Sequence, residues 1–529
     1  MSEPYYITTA ISYPNGRPHI GHAYEAIAAD AIARFHRMQG RDVRFQTGTD
    51  EHGLKMVKTA RENGVDVRNL CEEMSSHFKI MCDTLNISYD RFIRTTEPAH
   101  HAACQALWTA IADNGDLELG RYEGWYSVRD EAYYDEKELT TAPDGAKFSP
   151  QGTPVEWTAE ENWRFKLSHY QERLLAHYDA HPEFIQPDSR RNEVINFVKG
   201  GLNDLSVSRT SFDWGVKVPG SPDHVMYVWL DALTNYLTGL GYPEKTHDMA
   251  AFWPANLHLI GKDVVRFHAV YWPAFLMSAG LPLPRQVYGH GFVLARGGEK
   301  MSKSAGNAAD PLALAEKYGV DQLRYFLLRE VSFGQDGTYS EEAIVARCNA
   351  ELANSFGNLA QRVLSMIAKN LDGELPELLS LTSEDNDLFD LRHDILAYEV
   401  RRIFNQFEFS QGIESWMKMV FACNQYVDLQ APWALRKTDF ARMKTVLGVL
   451  YVCIMDLAIA IYPIMTNAIN ILLGHMGVSD RHRGSVFIIH ERSGEFSPSR
   501  YDQIRQSGFR LALPTPIFPR LELHLDTVA

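Results

Sequence analysis

The sequence predicts an α/β protein built on a parallel sheet, interrupted by an insertion and followed by a helical domain. Three observations carry this. The first hundred residues alternate β-prone and helix-prone segments. Between Gly115 and Pro222 the chain breaks into short patches rich in turn residues and aromatics. From about Ser340 to Met476, apolar residues recur at helical spacing.

Tyr5-Tyr6-Ile7-Thr8-Thr9-Ala10 is β-prone and leads into the turn residues Pro14-Asn15-Gly16. A helix is expected from Gly21 to Met38, capped by Gly40, and Val43-Arg44-Phe45-Gln46-Thr47 reads as the next strand, ending at Gly48. Strand, helix, strand implies parallel pairing with a crossover. Sheet-like segments resume at Met226-Tyr227-Val228-Trp229 and at Leu257-His258-Leu259-Ile260, which makes the stretch between an insertion. Farther on, Leu352, Phe356, Leu359, Val363 and Met366 fall at i, i+4, i+7, i+11 and i+14, one apolar stripe of a helix. Near the end, Phe509-Arg510-Leu511-Ala512-Leu513 is strand-like and precedes the turn-prone Pro514-Thr515-Pro516. No repeat or low-complexity tract is visible.

At about 150 residues per domain, 529 residues make three or four structural units. With 45% hydrophobic and 22% charged residues, the chain is neither disordered, fibrous nor a disulfide-stapled scaffold. Its six cysteines form no Cys-x-x-Cys pair and read as reduced thiols of a cytoplasmic protein. The N-terminus lacks the basic and apolar regions of a secretory signal. The apolar run Leu447–Tyr462 carries Asp456 and stops at Pro463, short of the ~20 residues a membrane span needs, so a buried core helix is expected. A net charge of −15 excludes a general nucleic-acid coater, although local surfaces could still bind RNA.

Two segments carry chemistry. Pro14-Asn15-Gly16-Arg17-Pro18-His19-Ile20-Gly21-His22 lies between a predicted strand and a predicted helix. A helix N-terminus offers unpaired N–H groups and a positive dipole end, Gly21 allows close backbone approach, and two imidazoles can bond phosphate oxygens. Lys300-Met301-Ser302-Lys303-Ser304, flanked by glycines, can close over a triphosphate and neutralise charge growing on departing pyrophosphate. Alone, each is also compatible with an ordinary turn.

Together and in this order, His-Ile-Gly-His on the first βα turn and Lys-Met-Ser-Lys-Ser downstream resemble the paired signatures of class I aminoacyl-tRNA synthetases. The likeness spans nearly the whole chain, and further segments are similar to the methionyl-tRNA synthetase family. These are Ala10-Ile11-Ser12-Tyr13, Gly48-Thr49-Asp50-Glu51-His52-Gly53, Tyr227-Val228-Trp229-Leu230-Asp231-Ala232, Gly261 to His268, and Asn424 to Trp433. The resemblance implies a Rossmann-type parallel-sheet catalytic domain in two halves (1–115 and 226–295) around an inserted connective domain (116–225). A loop and stem-contact region (296–345) and an α-helical bundle anticodon-binding domain with a C-terminal extension (346–529) would follow.

That resemblance also implies the chemistry. L-methionine and Mg²⁺-ATP would give methionyl-adenylate, and methionine would pass to the 3′-terminal adenosine of tRNA(Met). His19, His22, Lys300 and Lys303 would be catalytic, with Gly21 and Ser302 joining them in binding ATP. Methionine favours apolar and aromatic walls, which Ile11, Tyr13, Trp229, Leu233, Tyr236, Val264 and Phe267 would supply, with Asp50 and Asp263 completing the site. Leu233 stands where some relatives carry proline. Tyr236 and His268 could donate hydrogen bonds toward the thioether sulfur. Trp272 reads as core packing. Asn358 and Arg362, four apart on one helix face, together with Trp433 would read a CAU anticodon by base-edge contacts and stacking.

The insertion, roughly 110 residues, has no room for a hydrolytic editing domain. It also departs from the family's frequent Cys-x-x-Cys zinc knuckles: Ser127-Val128-Arg129-Asp130 and Phe148-Ser149-Pro150 occupy those places. No structural zinc is therefore expected, and a monomer is. The rival readings are an adenylating nucleotidyltransferase that does not use tRNA, against which the helical domain speaks, and a paralogue without catalysis.

Overall fold

The computed structural model describes residues 3–129, 132–295, 298, 309–478 and 499–523. Six strands make the central sheet: β1 (Pro4–Thr9), β2 (Asp42–Thr49), β3 (Arg91–Arg94), β4 (Ile185–Gln186), β5 (Leu257–Gly261) and β6 (Val287–His290). Their order is β3-β2-β1-β5-β6-β4, and every pairing is parallel. The chain adds β2 and β3 on one side of β1 and later β5 and β6 on the other. The winding thus reverses between β1 and β5, and the crevice at the C-terminal ends of two such strands is where open α/β sheets bind ligands.

The first crossover helix, α1 (Ile20–Met38), is buried on every side from Ala26 to Ala33, and its small alanines, among them Ala26, Ala28 and Ala31, let the sheet and neighbouring helices pack close to it. Gly40, at φ 79°, follows its end as the sequence suggests. Two expectations change here. The segment Tyr227–Trp229 does not resume the sheet: Val228–Thr238 is a helix, α2, buried along nearly all its length. A continuous apolar run does not separate a buried strand from a buried helix by periodicity. Conversely, β4 comes from within residues 116–225, pairing Ile185 with Val287, so the central sheet resumes before that span ends.

The insertion also holds an antiparallel sheet, in which Leu117–Ser127 pairs with Glu156–Phe165 along their length, and two helices, Gln171–Ala180 and Asp188–Lys199. Beyond the sheet, α3 (Val320–Glu330) is followed by one helical run from Glu341 to Asn370, wound as a π-helix over Cys348–Gly357 and continuing as α4 (Asn358–Asn370). Leu352, Phe356, Leu359 and Val363 of the apolar stripe are fully buried and Met366 half-buried. The helices α5 (Phe409–Gln430) and α6 (Phe440–Ile461) pack beside them. Helix α6 contains the apolar run up to Ile461 and is long enough to cross a membrane, but 89% of its most apolar window is buried inside the protein. Its Asp456 meets Arg392 at 2.8 Å.

Arg324 of α3 ties these helices to the sheet domain. Its side chain is fully buried, and it donates to Asp30 of α1 at 2.6 Å and to the carbonyls of Leu85, Pro463 and Ile464. The segment Phe509–Leu513 forms one bridge, Arg510 to Glu374, rather than a strand. Phe509 packs on Gly477, and the Leu511 amide donates to the Gly373 carbonyl at 2.8 Å.

Candidate active site

A cavity of ≈ 390 Å³ opens at the C-terminal ends of β1 and β5. Ile11, Tyr13, His22 and Asp50 reach it from the first half of the domain, and Trp229, Leu233, Tyr236, Asp263, Val264, Phe267 and His268 from the second. Segments more than two hundred residues apart therefore meet in one pocket. Asp50 is held by a pair of backbone bonds, its amide to the Ser12 carbonyl and the Ser12 amide to that of Gly48, both 2.9 Å. Trp229 stacks on Phe267 at 3.7 Å and 4°. Leu233 is buried in the wall, while Trp272 lies fully buried behind it between Tyr236 and Trp253.

The helix terminus works differently from the expectation. His19 is the N-cap of α1: its Nδ1 accepts from the Gly21 amide at 3.1 Å, and His22 Nδ1 accepts from the His19 amide at 3.1 Å. The Ile20 amide donates to the Ala309 carbonyl and the His22 amide to that of His19. These N–H groups are already engaged, which leaves the imidazoles and the helix dipole as what this terminus can offer a phosphate; His22 lines the cavity, and His19 is not among its lining residues. The two rings lie 3.9 Å apart. Gly21 serves this cap, because a Cβ there would sit 2.9 Å from His19 Cε1.

His268 and Tyr236 also depart from their expected role. His268 Nδ1 lies 2.9 Å from the Val264 carbonyl, which can only accept, so the proton is on Nδ1. Nε2 then accepts from the Tyr236 hydroxyl at 2.6 Å. The neutral ring has no second N–H and Tyr236 has no second proton, so neither donates to a thioether. Burial holds the His268 pKa down at about 4 and pushes the Tyr236 phenol far up, which keeps both neutral. Both line the pocket as a hydrogen-bonded pair.

Other groups in the cavity escaped the sequence reading. Glu25, one turn beyond His22 on α1, meets His290 Nε2 at 2.8 Å, while His290 Nδ1 donates to the Gly291 carbonyl at 2.7 Å. The carbonyl can only accept, so His290 Nδ1 carries a proton, and one further proton is shared between Nε2 and the Glu25 carboxyl. Burial raises the Glu25 carboxyl; it would lower His290, but Glu25 reverses that. The i, i+3 spacing from His22 was the available signal for Glu25. Arg129, Gln151 and Thr153 of the insertion also line the cavity. Where a zinc knuckle would put thiolates, Ser127, Ser149 and Thr153 are buried, and the Thr153 hydroxyl bonds those of Ser127 and Ser149 at 2.7 and 2.8 Å. Lys300, Ser302 and Lys303 lie outside the described residues.

In the helical domain, α5 ends at Ala431 with φ 42°, and Pro432 starts the next helix, as expected of a helix break. This brings Trp433, 49% exposed, beneath Arg362 of α4, whose guanidinium lies 5.4 Å from the indole centroid. Arg362 also pairs with Asp428 at 2.9 Å. Asn358 is exposed one turn away.

A parallel sheet with its switch point beneath a pair of helix-capping histidines, joined to a helical domain, is the layout of class I tRNA synthetases. Residues 5–364 match the family model described as tRNA synthetases class I (M). The methionine–tRNA ligases of Brucella suis and Rhizobium meliloti are 52% and 53% identical, each over 98% of both chains. The crystal structure of Mycobacterium tuberculosis methionyl-tRNA synthetase bound by methionyl-adenylate superposes with a TM-score of 0.91 at 51% identity, covering 98% of this chain and 100% of that one. The chain belongs to the methionine–tRNA ligase family.

Proposed function

We propose that this protein activates L-methionine with ATP to methionyl-adenylate and transfers the methionyl group to the 3′-terminal adenosine of tRNA(Met) bearing a CAU anticodon. The observation that carries the reading is the single cavity joining the Asp50 loop, the His22 end of α1 and the aromatic wall of α2. In the first step a methionine carboxylate oxygen attacks the α-phosphorus of ATP and pyrophosphate leaves. In the second a ribose hydroxyl attacks the acyl carbon and AMP leaves.

No side chain has to become covalently attached; positioning and charge stabilisation suffice. Asp50 would hold the substrate ammonium, and the stacked Trp229 and Phe267 its apolar side chain. His19 and His22 would meet the phosphates, with Lys300 and Lys303 stabilising the leaving pyrophosphate. Mg²⁺ would arrive on the triphosphate, with hard carboxylate oxygens of Glu25, Asp50 and Asp263 around the same cavity. We propose no structural zinc: hydroxyls bonded to one another replace the thiolates such a site needs. A cytoplasmic monomer completes the reading.

The test is pyrophosphate exchange with purified protein and each standard amino acid, without tRNA. Methionine alone is expected to drive it. Exchange driven by another amino acid overturns the pocket assignment, and none at all overturns the catalytic reading.

A further inference from the structure

Asp231, on the α2 face opposite the pocket, has no role in the chemistry above, yet it is fully buried with both oxygens engaged. Its Oδ2 meets His52 Nδ1 at 2.7 Å and its Oδ1 meets His100 Nε2 at 2.8 Å. His100 in turn meets Thr238 Oγ1, at the far end of α2, through its other nitrogen at 2.9 Å. His52 lies two residues beyond Asp50, and its carbonyl accepts from the Tyr13 hydroxyl at 2.6 Å. Trp229 and Leu233 flank Asp231 on its own helix. One carboxylate thus joins α2 to the segment that carries Asp50 and, through His52, to Tyr13.

We propose that Asp231 is a positioning residue that sets the shape of the methionine pocket, clamping α2 to the Asp50 loop and, through His52, to Tyr13. This rests on the proposed function. Burial would raise the Asp231 carboxyl, but His52 and His100 hold it well below the usual carboxylate range, so the clamp is charged at working pH. A charge-assisted hydrogen bond in a buried setting is among the strongest a protein makes, and its angular preference fixes the groups it joins. His100, Cys104 and Asp231 also come within 4.8 Å of one another, the spread of a metal site. Their contacts, however, are hydrogen bonds: Cys104 Sγ lies 3.3 Å from the His100 nitrogen that faces Asp231, and the second nitrogen of His100 is engaged by Thr238.

The test uses the full chain in pyrophosphate exchange with methionine and with its apolar analogue norleucine. Asp231→Asn is expected to raise the KM for methionine by roughly tenfold or more, the scale of one buried hydrogen bond to a charged group. The KM for ATP should stay within about twofold, and the preference for methionine over norleucine should fall. His52→Leu is expected to reproduce these changes. His52→Asn, whose amide can occupy the place of Nδ1, is expected to restore the bond and the methionine KM. The double change Asp231→Asn with His52→Leu should be no worse than either alone. Should Asp231→Asn fail to fold, the two His52 variants carry the test. An unchanged methionine KM, equal rises for methionine and ATP, or additive effects of the two changes would overturn the proposal and leave the functional reading intact. A wild-type protein without methionine-dependent exchange overturns both.

Discussion

Replacing Tyr236 by Phe removes one oxygen from the pocket lining and tests the proton arrangement deduced there. The ring volume is retained, so no cavity opens. What is lost is the 2.6 Å bond to His268 Nε2, a buried nitrogen that then has neither this donor nor ready access to water. Leaving a buried acceptor unsatisfied costs about 1–3 kcal/mol. For a catalytic unit of 150–250 residues, each kcal/mol shifts the thermal midpoint by about 2–4 °C, so a fall of roughly 2–12 °C is expected. His268 could recover the loss only by moving its proton to Nε2, which would break the bond to Val264. The assay is a thermal melt of wild type and variant, joined to nitrogen NMR of the histidine rings. An unshifted midpoint, or a wild-type His268 carrying its proton on Nε2, would refute the reasoning.

Other consequences follow from the same geometry. Gly21→Ala places a Cβ 2.9 Å from His19 Cε1, so it should cost about 1 kcal/mol of cap stability and slow pyrophosphate exchange by up to about 10²-fold as the imidazole is displaced; a melt and an exchange assay check this. Trp433→Ala should lower kcat/KM for tRNA charging by the roughly 1–3 kcal/mol of one stacked base while methionine-driven exchange in the absence of tRNA stays unchanged. His268 has a folded pKa of about 4 against 6.5 unfolded, so its neutral form supports the fold fully above pH 6.5. That contribution, roughly 3 kcal/mol in all, is lost as pH falls from 6.5 to 4. Unfolding midpoints across that range should drop less steeply for His268→Asn than for wild type.

Much of this protein was decided locally. The β1–turn–α1–β2 unit needs only β-prone residues, Pro14-Asn15-Gly16 and an alanine-rich helix with Gly40 after it, and it forms where those residues stand. The helical stripe through Leu352 and Val363, the buried run of α6 and the break at Pro432 are legible for the same reason: periodicity and backbone restriction act over a few residues. Many of the residues that line the cavity were also named in advance, since they sit in short segments that resemble a known family.

Contacts between distant segments were not legible, because hydrogen bonding and burial depend on what the fold brings opposite each group. Val228–Thr238 is a helix since the space between the sheet and helix Pro98–Asp113 accepts one; its apolar run suits a strand equally well. The short edge strand β4 exists only because Val287 lies beside it. His268 and Tyr236 look like donors to a ligand in sequence, but Val264 and their own mutual bond take their protons. His19 looks like a phosphate ligand alone and proves also to be a cap. Asp231, Glu25 and Arg324 carry no local signal of their partners, which lie 179, 265 and 294 residues away. Short motif segments, through their family resemblance, named the candidate site residues; only the tertiary structure decided which protons and charges remain available there, because those depend on neighbours that folding alone brings within hydrogen-bond distance.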